Sequence, residues 1–195
     1  MAGILIQSVT FGSLTTSLSV TTDFQRGIID RFKSLPIFGL AVIAGHVVAD
    51  IARNIIQSLV MIGVGFLVGF RPEAGFSDWL AIAGLIFLFT FSISWLSAIL
   101  GLIAKSIESA QWMGFLLVFP LTFASAAFVP TESMPTFLRI FAQNQPVTYI
   151  IEAVRALMNG LPVGNYAWLS IIWSLGIMAF SFPMASYLFR KHTGR

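Results

Sequence analysis

Glu152 and Arg155 stand three residues apart inside QNQPVTYIIEAVRALMNG, a stretch with helical rhythm in a chain whose other long segments are almost wholly apolar. One helical turn apart they can pair, but an exposed pair of this spacing contributes only about 0.2–0.5 kcal/mol, so stability alone is a poor reason for them. Other groups that could do chemistry are few. The only histidines are His46 and His192, and spacing places neither beside a particular serine, so a Ser–His hydrolase is disfavoured. The chain has no cysteine, which removes thiolate nucleophiles and cysteine metal sites. Asp50 and Arg53 share an i,i+3 spacing at an expected helix start, where pairing or facing water is a better account than metal ligation. Lys105 and Glu108 repeat that spacing within a tight turn.

A phosphate-binding loop needs a lysine preceded by glycine, whereas Lys33, Lys105 and Lys191 follow Phe32, Ala104 and Arg190. If ATP drives this protein, a partner must hydrolyse it. No buried series of mid-span acids is expected either, which weakens a proton-coupled carrier.

The elements that hold these groups follow from composition. Of 195 residues 57% are hydrophobic and 10% charged, with mean hydropathy +0.89, so lipid is the expected solvent. The fold class is all-α: a polytopic membrane helix bundle forming a single domain over residues 1–195. The formal charge of +3 is spread singly along the chain, not clustered as a nucleic-acid face requires. Apolar windows long enough to cross about 30 Å of hydrocarbon fall at Ile4–Thr22, Ile51–Phe70, Trp79–Ala104, Ser109–Val129 and Ala167–Phe189.

Five crossings divide the basic residues unequally. Arg26, Arg31, Lys33, Arg53, Lys105, Arg190, Lys191 and Arg195 fall on or beside one side, and Arg71, Arg139 and Arg155 on the other. The positive-inside rule makes the richer side, with the C-terminus, cytoplasmic.

Thr90, Ser94, Ser97 and Gly101 advance by four, three and four, stacking on one helix face; Ser8, Gly12, Thr15 and Ser19 do likewise in the first span. Such small-residue faces favour helix packing over a substrate-lining surface. After the first span, Phe24, Ile28 and Phe32 recur every four residues, which predicts a short surface helix ended near Pro36. In the last motif Pro146 suits a first helical position and Gly160 a stop. Val147, Ile150, Ile151, Val154, Leu157 and Met158 share its apolar face; Thr148, Glu152, Arg155 and Asn159 are expected to face water. Too short and charged to cross, this helix closes a re-entrant or interfacial outer segment over residues 130–162.

Five stretches in order carry a family likeness: GILIQSVTFGSL (Gly3–Leu14), RGIIDRFKSLPI (Arg26–Ile37), ADIARN (Ala49–Asn54), FVPTESMP (Phe128–Pro135) and QNQPVTYIIEAVRALMNG (Gln143–Gly160). Together they resemble the permease subunits of type-2 ABC exporters, especially the daunorubicin-resistance branch. The resemblance implies a six-helix permease half in a bacterial or archaeal plasma membrane. It implies pairing with a second half, as a homodimer, and with a separate ABC ATPase that would bind ATP and magnesium; no cofactor is expected in this chain. Membrane lipid and an amphiphilic drug or lipid substrate are the other expected partners, and nucleic acid is not one. The ATPase-coupling segment maps to 23–35, with Phe24, Arg26, Gly27, Ile28, Asp30, Arg31 and Phe32 as its contacts. Pro146, Glu152 and Arg155 map to the outer helix or gate. The family pattern places an interfacial helix and a further span before the first span seen here. It favours Arg where this chain has His46. A membrane scaffold recruiting a cytoplasmic partner is the alternative of a different class.

Overall fold

A computed structural model describes residues 1–28, 40–128 and 134–193. Among them the chain forms eight helices and no strand: α1 (Ala2–Gly12), α2 (Leu14–Gln25), α3 (Leu40–Leu67), α4 (Phe76–Ile103), α5 (Ile107–Phe123), α6 (Thr136–Gln143), α7 (Pro146–Met158) and α8 (Tyr166–Thr193). Four units are long and apolar enough to cross a membrane: α1 with α2, α3, α4, and α8. With 17 residues, α5 reaches about 26 Å at 1.5 Å per residue, the lower limit for a crossing. The expected fifth span, Ser109–Val129, is therefore a shorter helix followed by a turn at 124–128.

Local chemistry sets the boundaries. Ser106 and Ser109 start α5 with a reciprocal cap: the Ser109 amide donates to Ser106 Oγ at 3.1 Å and the Ser106 amide to Ser109 Oγ at 3.0 Å. Helix α7 begins with Pro146 in the first turn, where its missing amide proton has no cost. It ends in a Schellman arrangement, with Leu161 N donating to Ala156 O at 2.9 Å and Gly160 N to Leu157 O at 3.3 Å. Gly160 takes φ 61°, a conformation suited to glycine.

The largest departure from expectation is α3. Its first turn is at Leu40, eleven residues before the expected start at Ile51, so Asp50 and Arg53 lie well inside a 28-residue helix. Near the end of α2 the expected stripe is also divided. Phe24 belongs to α2 and packs edge-on against Phe189 of α8, with ring centroids 6.1 Å apart. Gly27 at φ 65° then separates it from Ile28, so Phe24 and Ile28 are not successive turns of one helix. Asp30, Arg31 and Phe32 lie outside the described residues.

The bundle core is built on α1, α4 and α7. Leu5, Ile6, Val9, Phe89, Ile93, Ile150, Ile151 and Val154 form one buried cluster. A second, around Val20, Ile43, Val47, Trp95, Ile99 and Phe189, joins α2, α3, α4 and α8 at the opposite end. The glycine on the α4 stripe permits a close approach of α2. A Cβ at Gly101 would stand 2.5 Å from the Ser17 carbonyl oxygen, and Thr21 Oγ1 donates to Gly101 O at 3.0 Å. Thr90, Ser94, Ser97 and Gly101 are all buried, as a packing seam requires.

Candidate functional site

A carboxylate in the middle of a membrane bundle must find partners on other helices. Asp50 is 1% exposed, and three elements converge on it. Ser94 of α4 donates to Oδ2 through a short hydrogen bond. Thr15, on the first turn of α2, lies 3.2 Å from Oδ1. Arg53, one turn along α3, sets Nη1 3.9 Å from the same oxygen and also donates to the Thr15 hydroxyl. Arg53 is half exposed while Asp50 is buried, so the guanidinium reaches inward from the bundle surface. Thr15 is ten residues from Gln25, about 15 Å along the helix, which puts this knot deep in the bundle.

The first span is interrupted at the same level. Helix α1 ends at Gly12 and α2 begins at Leu14. Across the junction Ser13 N donates to Val9 O at 3.1 Å and Thr16 N to Ser13 O at 3.2 Å; Thr15 Oγ1 also lies 2.8 Å from Gly12 O. The Thr15 hydroxyl thus meets the Gly12 carbonyl, from which the Thr16 amide has turned away to Ser13 O, a recurrent way of tolerating an irregular helical turn in lipid. Asn54, a turn beyond Asp50, packs on the break: a Cβ at Gly12 would stand 2.5 Å from Asn54 Oδ1. Its Nδ2 donates to Asp50 O at 3.0 Å. Ser8 lies 3.8 Å from the Met61 sulfur. The small-residue face of the first span is therefore its seam with α3.

Two further polar ties mark the two ends of the bundle. Toward the end of α2, His46 Nε2 lies 2.8 Å from Asp23 Oδ2, and Gln25 Nε2 donates to Lys105 O at 3.3 Å. Arg26, Lys105, Arg190 and Lys191 gather at this end; Arg26 and Gly27 sit just past α2 with Ile28 following.

At the other end α7 is stitched to the turn after α5. Gln145 Nε2 donates to Ala124 O, the Ala126 amide to Thr148 Oγ1 at 3.3 Å, and Arg155 Nη2 to Ala126 O at 2.7 Å. Arg155 Nη1 meets Glu152 Oε1 at 2.6 Å. The expected water-facing side is thus corrected in part. Thr148 is buried and Arg155 is spent on a backbone carbonyl, because the turn at 124–126 needs partners that α7 supplies. Asn159 remains exposed.

Sequence reasoning singled out Glu152, Arg155 and the α4 stripe but took Asp50 for a boundary residue. Ser94 was visible as one of a row of hydroxyls; its attachment to Asp50 crosses 44 residues and had no local signal. Among the described residues no group of three His, Asp or Glu could hold a metal ion.

The family model of the ABC-2 type transporter matches residues 1–159, most of the chain. The chain belongs to the ABC-2 type transporter family. This ABC-2 permease is 30% identical over 191 residues to the daunorubicin resistance ABC transporter permease protein DrrB1 of Streptomyces coeruleorubidus, covering 98% of the chain and 68% of that relative. It is 25% identical over 172 residues to the probable doxorubicin resistance ABC transporter permease protein DrrC of Mycobacterium tuberculosis (strain ATCC 25618 / H37Rv), covering 85% of the chain and 61% of the relative. With the probable multidrug ABC transporter permease YbhR of Escherichia coli (strain K12) it shares 25% identity over 184 residues, 91% of the chain and 48% of the relative. The ABC-2 permease thus spans half to two thirds of the length of these relatives, and it is a multi-pass membrane protein.

Proposed function

We propose that this permease is the membrane half of an exporter for drugs, lipids or similar amphiphiles, driven by ATP hydrolysis in a separate ATPase subunit. The observation that carries the proposal is the match to permeases named for drug resistance along nearly the whole chain. ATP and magnesium would bind in the partner, since none of the three lysines follows the glycine a phosphate loop needs. In this reading two halves associate as a homodimer in a bacterial or archaeal plasma membrane with the C-terminus cytoplasmic. The basic cluster of Arg26, Lys105, Arg190 and Lys191 at one end of the bundle supports that orientation.

The ATPase would seat against the segment beginning at Phe24, Arg26, Gly27 and Ile28 and running through Asp30, Arg31 and Phe32. Movement of that segment is passed to α2, which is tied to α3 through Asp23 and His46 and to the turn before α5 through Gln25. Along α2 it arrives at the break beside Asp50, where three helices share one carboxylate. At the far end α7, begun by Pro146 and fastened by Arg155, closes the exit. Reconstitution into vesicles with the ATPase that co-purifies with the permease tests this. ATP should drive a fluorescent amphiphile across the membrane only when both subunits are present. Equal movement without ATPase, or a co-purifying partner without hydrolytic activity, would return the chain to the class of membrane scaffolds.

A further inference from the structure

The two ends of the bundle differ in charge. Around α7, Arg71, Arg139 and Arg155 are balanced among the described residues by Glu73, Asp78 and Glu152, and the Glu73 amide donates to Met158 O at 3.0 Å. At the far end Arg26, Lys105, Arg190 and Lys191 stand against Asp23 and Glu108, and Asp23 is already engaged by His46. Among the described residues no ion pair reaches Arg26, Lys105 or Lys191. Packing brings these cations together from three parts of the chain. Gln25 Nε2 donates to Lys105 O at 3.3 Å, and Arg26 follows directly on that contact. Phe24 lies edge-on to Phe189, with ring centroids 6.1 Å apart, and Arg190 and Lys191 come next in the chain. Leu102, three residues before Lys105, shares a buried cluster with Phe189.

Between these cations the surface is apolar. Ile103 and Ile107, two residues to either side of Lys105, are exposed, and so is Tyr187, one turn before Lys191 on the same face of α8. A soluble acidic partner seated here would leave those side chains against polar surface. Acyl chains cover them, and a lipid phosphate lies at the depth where the lysine and tyrosine side chains of a span come to rest. We infer that the basic end binds an anionic phospholipid, its phosphate shared by Lys105 and Lys191 with Arg26 and Arg190 beside them, and its acyl chains along Ile103, Ile107 and Tyr187. A zwitterionic lipid carries its own cation next to the phosphate and gains less. One headgroup would join the ends of α2, α4 and α8, whose side chains already meet in the cluster around Val20, Leu102 and Phe189. Such binding requires neither ATP nor a transported amphiphile.

The intact permease, equilibrated in detergent with equal amounts of palmitoyl-oleoyl phosphatidylglycerol and phosphatidylcholine, provides the test, with retained lipids counted by native mass spectrometry. Phosphatidylglycerol should be retained in preference. Lys105→Gln and Lys191→Gln should each lower that preference about fivefold, whereas Lys105→Arg and Lys191→Arg should keep it and show that the fold is intact. Arg71→Gln, at the opposite end, should leave it unchanged, and added salt should weaken it. Equal retention of the two lipids, or Gln variants that bind as the parent does, would overturn the site. Displacement of the lipid by an equal concentration of inorganic phosphate would make it a free-anion site instead. Gln variants that keep the lipid preference but lose the co-purifying ATPase would assign these cations to that partner and overturn the lipid.

Discussion

His46 Nε2 sits 2.8 Å from Asp23 Oδ2, and the two side chains, each about one quarter exposed, fasten the end of α2 to α3. The geometry asks of position 46 a donor that reaches the α2 carboxylate, which an imidazole supplies and a guanidinium would also supply.

His46→Arg should therefore preserve function, whereas His46→Ala should loosen α2 from α3. The expected loss is about 0.5–1.5 kcal/mol, the worth of one hydrogen bond. Thermal unfolding in detergent gives the stability, and ATP hydrolysed per amphiphile moved gives the coupling. A His46→Ala protein as stable and as tightly coupled as the parent would rule out a fastening role.

Asp50→Ala should remove the shared acceptor of Ser94 and Thr15 and leave Arg53 without its carboxylate. Leaving buried polar groups unmade costs about 1–3 kcal/mol. Asp50→Asn retains an acceptor and should fall between Asp50→Ala and the parent. The melting order parent, Asn, Ala is the measurement; coincident midpoints would mean that the knot adds no stability.

Helix α7 offers an asymmetric pair of variants. Arg155 bonds both Glu152 and the Ala126 carbonyl, so Arg155→Ala should lower transport more than Glu152→Ala at equal protein in the membrane. A charge-swapped double variant restores the pair but not the carbonyl contact, and it should recover less than half of the loss. Equal effects of the two single variants would reduce the interaction to a simple ion pair.

Two glycines of α4 give opposite expectations. A Cβ at Gly101 would meet the Ser17 backbone at 2.5 Å, while one at Gly84 meets nothing within 4 Å. Gly101→Ala should destabilise by about 1–3 kcal/mol through overpacking. Gly84→Ala should be neutral or slightly stabilising. Indistinguishable melting of the two would mean that α2 and α4 are not packed at this distance.

Orientation can be read chemically because the chain has no cysteine. A Cys at Ser77 should react with a membrane-impermeant thiol reagent in intact cells, and a Cys at Lys191 should react only after lysis. The reverse pattern would invert the bundle.

What could be read from the sequence was whatever depends on local period and composition. The long apolar helices and the short α7 fall into that class. Pro146, the run of Val147, Ile150, Ile151 and Val154, and Gly160 lie within one segment and specify α7 without outside help. The start of α3 does not. Asp50 and Arg53 weigh against a span by any transfer scale, and only Ser94, Thr15 and the interrupted helix beside them make burial tolerable. Those partners lie 35 and 44 residues away. The Ala126 contact of Arg155 was missed in the same way: the residue and its helix were foreseen, but the partner depends on how the turn after α5 folds back.

The junction at Ser13 has a mechanical meaning. With α1 packed closely at its start, where a Cβ at Gly3 would stand 2.3 Å from the Ala127 carbonyl, the twelve residues of α2 would form an arm of about 18 Å about that junction. A tilt of about 10° there swings Gln25 by about 3 Å, roughly the rise of two helical residues. That is enough to separate Asp23 from His46 while displacing Thr15, beside the fulcrum, by well under about 1 Å. On the coupling reading proposed above, a large stroke at the basic end of the first span would arrive at Asp50 as a small one.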